Sequence, residues 1–161
     1  MKNNKEILNS FKENLKEIKI NSEVYNLVEN IIDGYDSLTY TIDEIYYVNL
    51  FFIPKFETEI EEISFLQFSS IIKCSELFNN NHIQLLKVLN KLNVSLPIGS
   101  ILINDENQIL YKYIHIGNTG EEIEKKIFLE LITLINNIIR FNSNLLIQNN
   151  EEDLEVLLNK I

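Results

Sequence analysis

The chain alternates between stretches with a helical apolar period and stretches with a strand period. Ile7, Leu8, Phe11, Leu15 and Ile18 recur at helical spacing among lysines and glutamates, which predicts an amphipathic first helix. Val24, Leu27, Val28 and Ile31, behind a Ser22 cap and before Gly34, predict a second short helix, although Val, Tyr and Ile also suit a strand. From Ser37 the period falls to two. Ser37 to Ile42 and Ile45 to Ile53 predict strands joined by Asp43-Glu44. In the second of these, Tyr46, Val48, Leu50 and Phe52 point one way and Tyr47, Phe51 and Ile53 the other, so a central strand covered on both faces is expected. Ile63 to Ile72 predicts another strand, with Leu66, Phe68 and Ile72 on one side.

Ile83 to Leu92 predicts a helix with Leu85, Leu86, Leu89 and Leu92 inward, and Pro97 and Gly99 mark a break. Ile98 to Ile103 and Gln108 to Ile116 then form a hairpin across Asn104 to Asn107. Thr119-Gly120-Glu121-Glu122 has the pattern of a capping box and predicts the start of a last helix running to about Asn142. Phe128, Leu131, Ile132, Ile135, Ile138 and Ile139 form its apolar face. Residues 151–161 read as a flexible or helical tail. The expected architecture is one α+β domain over residues 1–161, with a helical region over 1–34. Its antiparallel sheet has about five strands, with elements in the order α-(α)-β-β-β-α-β-β-α.

Charge narrows the partners. The net charge is -10 and the pI about 4.7, a surface that repels phosphate backbones. The one arginine, Arg140, leaves little for bidentate phosphate or guanine recognition. No direct nucleic-acid partner is expected, and a basic protein is the natural complement. No apolar run approaches membrane-spanning length, so no membrane partner is expected. The single cysteine, Cys74, cannot form an internal disulfide, and the N-terminus lacks a signal-peptide pattern, which together point to the cytoplasm.

Catalytic and cofactor chemistry find little support. His82 and His115 stand far apart, without metal-ligand spacing. The four glycines are too dispersed for a phosphate loop. Cys74 follows a strand end and reads as an inert thiol. No enzyme activity, metal or cofactor is expected. A deep polar pocket holding His115 with a carboxylate would reopen that question. Two groups of residues suit a partner surface. Tyr111, Tyr113 and His115 share one face of a strand and have apolar bodies with polar tips. Glu57, Glu59 and Glu61, with Glu62 beside them, form an acidic row; alternate residues of an extended segment lie about 6.6 Å apart.

The stretch Leu89-Asn90-Lys91-Leu92-Asn93-Val94-Ser95-Leu96-Pro97-Ile98-Gly99-Ser100-Ile101, followed by Ile109-Leu110-Tyr111-Lys112-Tyr113, resembles the YbjN family and its relatives with the type III secretion chaperone-like fold. A helix ending in an Asn-x-x-x-Leu-Pro-x-Gly-like turn, then a strand, then a tyrosine-bearing strand carries the likeness, which covers roughly Ser37 to Asn142. Lys112 stands where that family commonly has arginine. The resemblance implies an antiparallel sheet with helices packed on it, frequent homodimers, and chaperone-like protein binding without catalysis. A small acidic inhibitor or immunity-type protein, encoded by a phage or mobile element and blocking a basic nuclease or defence protein, is the alternative reading.

Overall fold

A computed structural model of the chain describes residues 2–27, 35–53, 62–74, 82–148 and Val156. The elements are α1 (Asn4–Glu17), β1 (Ser22–Leu27), β2 (Tyr35–Ile42), β3 (Tyr46–Phe52), β4 (Ile63–Ile72), α2 (His82–Ser95), β5 (Ser100–Ile103), β6 (Ile109–Asn118) and α3 (Lys125–Gln148). The fold is α+β, as the periodicities imply. All pairings are antiparallel, and the sheet has six strands in the order β1-β2-β3-β4-β6-β5. The sixth strand is β1, where a short helix was expected. Six consecutive positions, Ser22 to Leu27, pair with Tyr40 to Tyr35. A ladder to a neighbour thus overrides the helix-like spacing of Val24 and Leu27. Val28, Ile31 and Gly34 of that expected helix lie outside the described residues.

The pleat sorts the sheet into two faces. Leu38, Tyr40 and Ile42 of β2 pair with Leu50, Val48 and Tyr46 of β3, and Leu50 pairs with Phe68 of β4. All are buried. They meet Ile7, Leu8, Phe11 and Leu15 of α1 and Phe128, Ile132, Ile135 and Ile139 of α3 in one core. Phe11 and Phe128 stack with ring centroids 4.2 Å apart, which locks the two helices together. Asn3 and Glu6 close a capping box at the start of α1: the Asn3 side chain accepts from the Glu6 N–H at 2.9 Å, and the Glu6 carboxylate from the Asn3 N–H at 2.8 Å.

The expected capping box at Thr119 does not start α3. The Thr119 N–H donates to the Glu62 carbonyl at 2.8 Å, continuing the β4–β6 ladder, and Gly120 has φ 77°. The chain therefore turns once more before the helix begins at Lys125. The helix also runs past Asn142. Asn142 is buried inside it and donates from its side chain to the Ile138 carbonyl at 2.7 Å. At the opposite end of the sheet, Arg140 grips Asp43 through two bonds of 2.6 Å. Asp43 and Glu44 have φ of 53° and 58°, and the Ile45 N–H closes the tight β2–β3 turn on Ile42.

The Leu-Pro-x-Gly break has a physical reason. Gly99 has φ 73°, and a Cβ there would stand 2.7 Å from the Lys112 carbonyl oxygen and from the Tyr111 hydroxyl. That hydroxyl donates to the Ile98 carbonyl at 3.3 Å. The glycine lets the chain fold tightly over the tyrosine before β5 begins.

Candidate functional site

Alternation on β6 places Tyr111, Tyr113 and His115 on the helix side of the sheet, opposite Ser70, Phe68 and Leu66. Tyr111 is fully buried, and burial pushes its hydroxyl pKa well up. It is a core residue, so the expected partner surface does not extend to it. Tyr113 is half-buried, with its ring 5.8 Å from Phe68 and its hydroxyl 3.5 Å from His115 Nδ1. Burial holds the His115 pKa below its ordinary value.

His115 lines a cavity of about 300 Å³ with Ser64, Asn118, Glu121 and Glu122, over Phe11 and Phe52. A histidine with carboxylates in a polar pocket is the arrangement on which an enzyme reading would rest. Several of its polar groups are engaged with neighbouring side chains or backbone. Glu122 pairs with Lys2 and accepts from the Ser10 hydroxyl at 3.1 Å. Glu121 accepts from the Asn118 side chain at 2.7 Å. Ser64 donates to the Asn118 carbonyl at 3.1 Å rather than to the imidazole.

Glu57, Glu59 and Glu61 lie outside the described residues, and Glu62 is exposed. Cys74 is half-buried, and burial raises its thiol pKa. Among the described residues, no group of three or more His, Cys, Asp or Glu side chains is placed to hold a metal ion, and no helix is long and apolar enough to cross a membrane.

The unusual surface is the other face of the sheet. The expectation that β3 is covered on both sides is corrected: Tyr46, Val48, Leu50 and Phe52 are buried, but Tyr47 is 61% exposed. Phe65, Ile71, Ile114 and Ile116 look out on the same side and are exposed too. On β2 to β6 the outward positions contain no Asp or Glu among the described residues, and Lys112 is their only charge. An antiparallel sheet facing water ordinarily alternates to polar residues there. Near one end the face is dished. Tyr47, Asn49, Ser69, Ile71, Lys73 and Leu110 are among the residues that line a depression of about 440 Å³. The turns at that end carry exposed Glu44, Asp105 and Glu106.

No family model matches the chain, and no curated protein matches it. Among solved structures, an uncharacterized protein from Methanothermobacter thermautotrophicus is similar at a TM-score of 0.46 and 8% identity, over 94% of this chain and 96% of that one. The likeness to the YbjN family stays a resemblance.

Proposed function

We propose that the chain is a non-catalytic, cytoplasmic, chaperone-like protein-binding module. Its open sheet face takes an apolar segment of another protein, one flanked by lysine or arginine. The observation that carries this reading is the outward face itself: Tyr47, Phe65, Ile71, Ile114 and Ile116 are exposed on it among neutral polar residues, β2 to β6 place no acid there among the described residues, and the surface is dished beside Ser69. Interfaces concentrate such residues at their centre and keep charge at the rim. Here Glu44, Asp105 and Glu106 supply an acidic rim, and the net charge of -10 steers a basic partner towards it. The apolar centre then supplies the affinity.

The test is co-purification of the tagged chain from its native cells. One protein should be retained in stoichiometric amounts by the wild type and lost from Ile71→Glu and Ile114→Glu, both on the exposed face. No reproducible partner, or one retained by both variants, overturns the proposal. A basic partner released only when Glu57, Glu59, Glu61 and Glu62 are changed to glutamine moves the site to the acidic row and favours the inhibitor reading.

A further inference from the structure

A second surface stands apart from the sheet face. α3 buries Phe128, Ile132, Ile135 and Ile139, yet besides Ile147 near its end it also exposes Ile127 (50%), Leu134 (37%) and Phe141 (63%). These three recur at intervals of seven, which places them in one line along the helix. The line spans about 21 Å at 1.5 Å per residue. Beside it lies a shallow depression of about 450 Å³, bounded by Lys126, Leu129, Glu130, Thr133, Leu134 and Asn137.

We propose that this stripe is a self-association surface, on which α3 of a second copy packs antiparallel about a two-fold axis at Leu134. The spacing is symmetric about that residue. With Leu134 on the axis, Ile127 faces Phe141 of the second copy, and the depression over the first half of α3 receives that phenyl ring. A two-fold contact requires such a self-complementary pattern.

Charge selects both the occupant and the direction. α3 holds three cations and one acid, Glu130, in a chain of net charge -10. Lys125 and Arg140 are paired with Glu17 and Asp43, so Lys126 and Glu130 are the charges that flank the stripe. Residues 131–148 contain no acid. An antiparallel copy sets Glu130 against that acid-free half. A parallel copy would set Glu130 against Glu130 and Lys126 against Lys126, a like-charge arrangement that opposes pairing. This surface carries one acid in a chain of net charge -10, so self-repulsion is weaker here than over the chain as a whole. A seam about 21 Å long and one helix wide falls at the small end of protein interfaces, so the dimer is concentration-dependent.

Sedimentation equilibrium of the full chain over a wide concentration range provides the first measurement. The wild-type mass should rise from 18.9 kDa towards twice that value, and Leu134→Glu should hold it at the monomer value with an unchanged circular dichroism spectrum. Cysteine cross-linking in a Cys74→Ser background provides the second, and it does not depend on how Leu134→Glu folds. Leu134→Cys should oxidise to a covalent dimer by itself, because the residue meets its own copy on the axis. Ile127→Cys should cross-link only when mixed with Phe141→Cys. A mass fixed at the monomer value, an Ile127→Cys homodimer, or a dimer abolished by Ile71→Glu but not by Leu134→Glu overturns the proposal.

Discussion

Asn93 holds Ile101 as a neighbouring strand would. Its side-chain nitrogen donates to the Ile101 carbonyl at 2.8 Å, and the Ile101 N–H donates to its Oδ1 at 2.6 Å. β5 is an edge strand, so these backbone groups would otherwise be open to pairing with another chain. Asn93 should therefore tolerate substitution poorly. Asn93→Ala should destabilise the fold by about 1–3 kcal/mol, the cost of stranding partly buried groups. Urea unfolding with an unchanged slope measures it. Asn93→Asp keeps the acceptor but turns an oxygen towards the Ile101 carbonyl. It should be the worse of the two at neutral pH and recover when the carboxyl is protonated.

Ile135 has no exposed surface and sits in the middle of the buried face of α3. Ile135→Ala should cost about 2–5 kcal/mol, through lost burial and an unfilled cavity. A thermal or urea midpoint close to wild type would mean that the neighbouring side chains collapse into the space.

The parts of the fold that could be read from sequence are those in which local pattern and distant partner agree. Ile63 to Ile72 keeps Leu66, Phe68 and Ile72 on one face and is β4; Ile7, Leu8, Phe11 and Leu15 keep a helical period and are the buried residues of α1. Ser22 to Leu27 failed because its partner, β2, had to be known before its spacing could be weighed. Thr119 failed because its N–H is claimed by Glu62, a residue 57 positions earlier that no local motif reveals. The site followed the same rule. Alternation shows that β3 and β6 each have two apolar faces, but not which face receives the helices. Tyr111 therefore went to the core, and Ile114 and Ile116 went to the surface.

His115 ties stability to pH. Burial disfavours its charged form, so its folded pKa lies below the ordinary 6.5. Glu121 and Glu122 face the same cavity and favour the imidazolium, while Lys2 neutralises part of that pull and Tyr113 contacts Nδ1. With a depressed folded pKa, the unfolded chain binds the proton more readily. Stability should fall as the pH drops through about 6.5, and this contribution should level off below the folded pKa. Asp43 acts in a separate and lower window, since its bond to Arg140 holds its carboxyl below the usual range. An NMR titration of the imidazole should give a midpoint below 6.5, and His115→Gln should flatten the stability profile between pH 7.5 and 5.5 (roughly one unit either side of the ordinary histidine value). A midpoint at or above 6.5 would show that the two carboxylates outweigh burial.

Tyr40 and Asn136 form a polar contact that joins β2 to α3 within the core. The Tyr40 hydroxyl donates to Asn136 Oδ1 at 2.9 Å; Tyr40 has no exposed surface and Asn136 is 8% exposed. Burial raises the phenol pKa so far that the hydroxyl remains a donor at any pH the protein meets. Tyr40→Phe removes little volume but leaves the asparagine oxygen without its partner, so about 1–3 kcal/mol should be lost. Asn136→Leu strands the hydroxyl instead and should cost a similar amount. Replacing both partners removes the stranded group in each case, and the double variant should lose less than the two single changes together. The coupling should fall within about 0.5–3 kcal/mol, as for other groups in direct contact. Urea unfolding of the four proteins completes the cycle. Strict additivity would mean that the bond contributes nothing to the docking of α3 on the sheet, and that packing of Ile132, Ile135 and Ile139 alone sets the position of the helix.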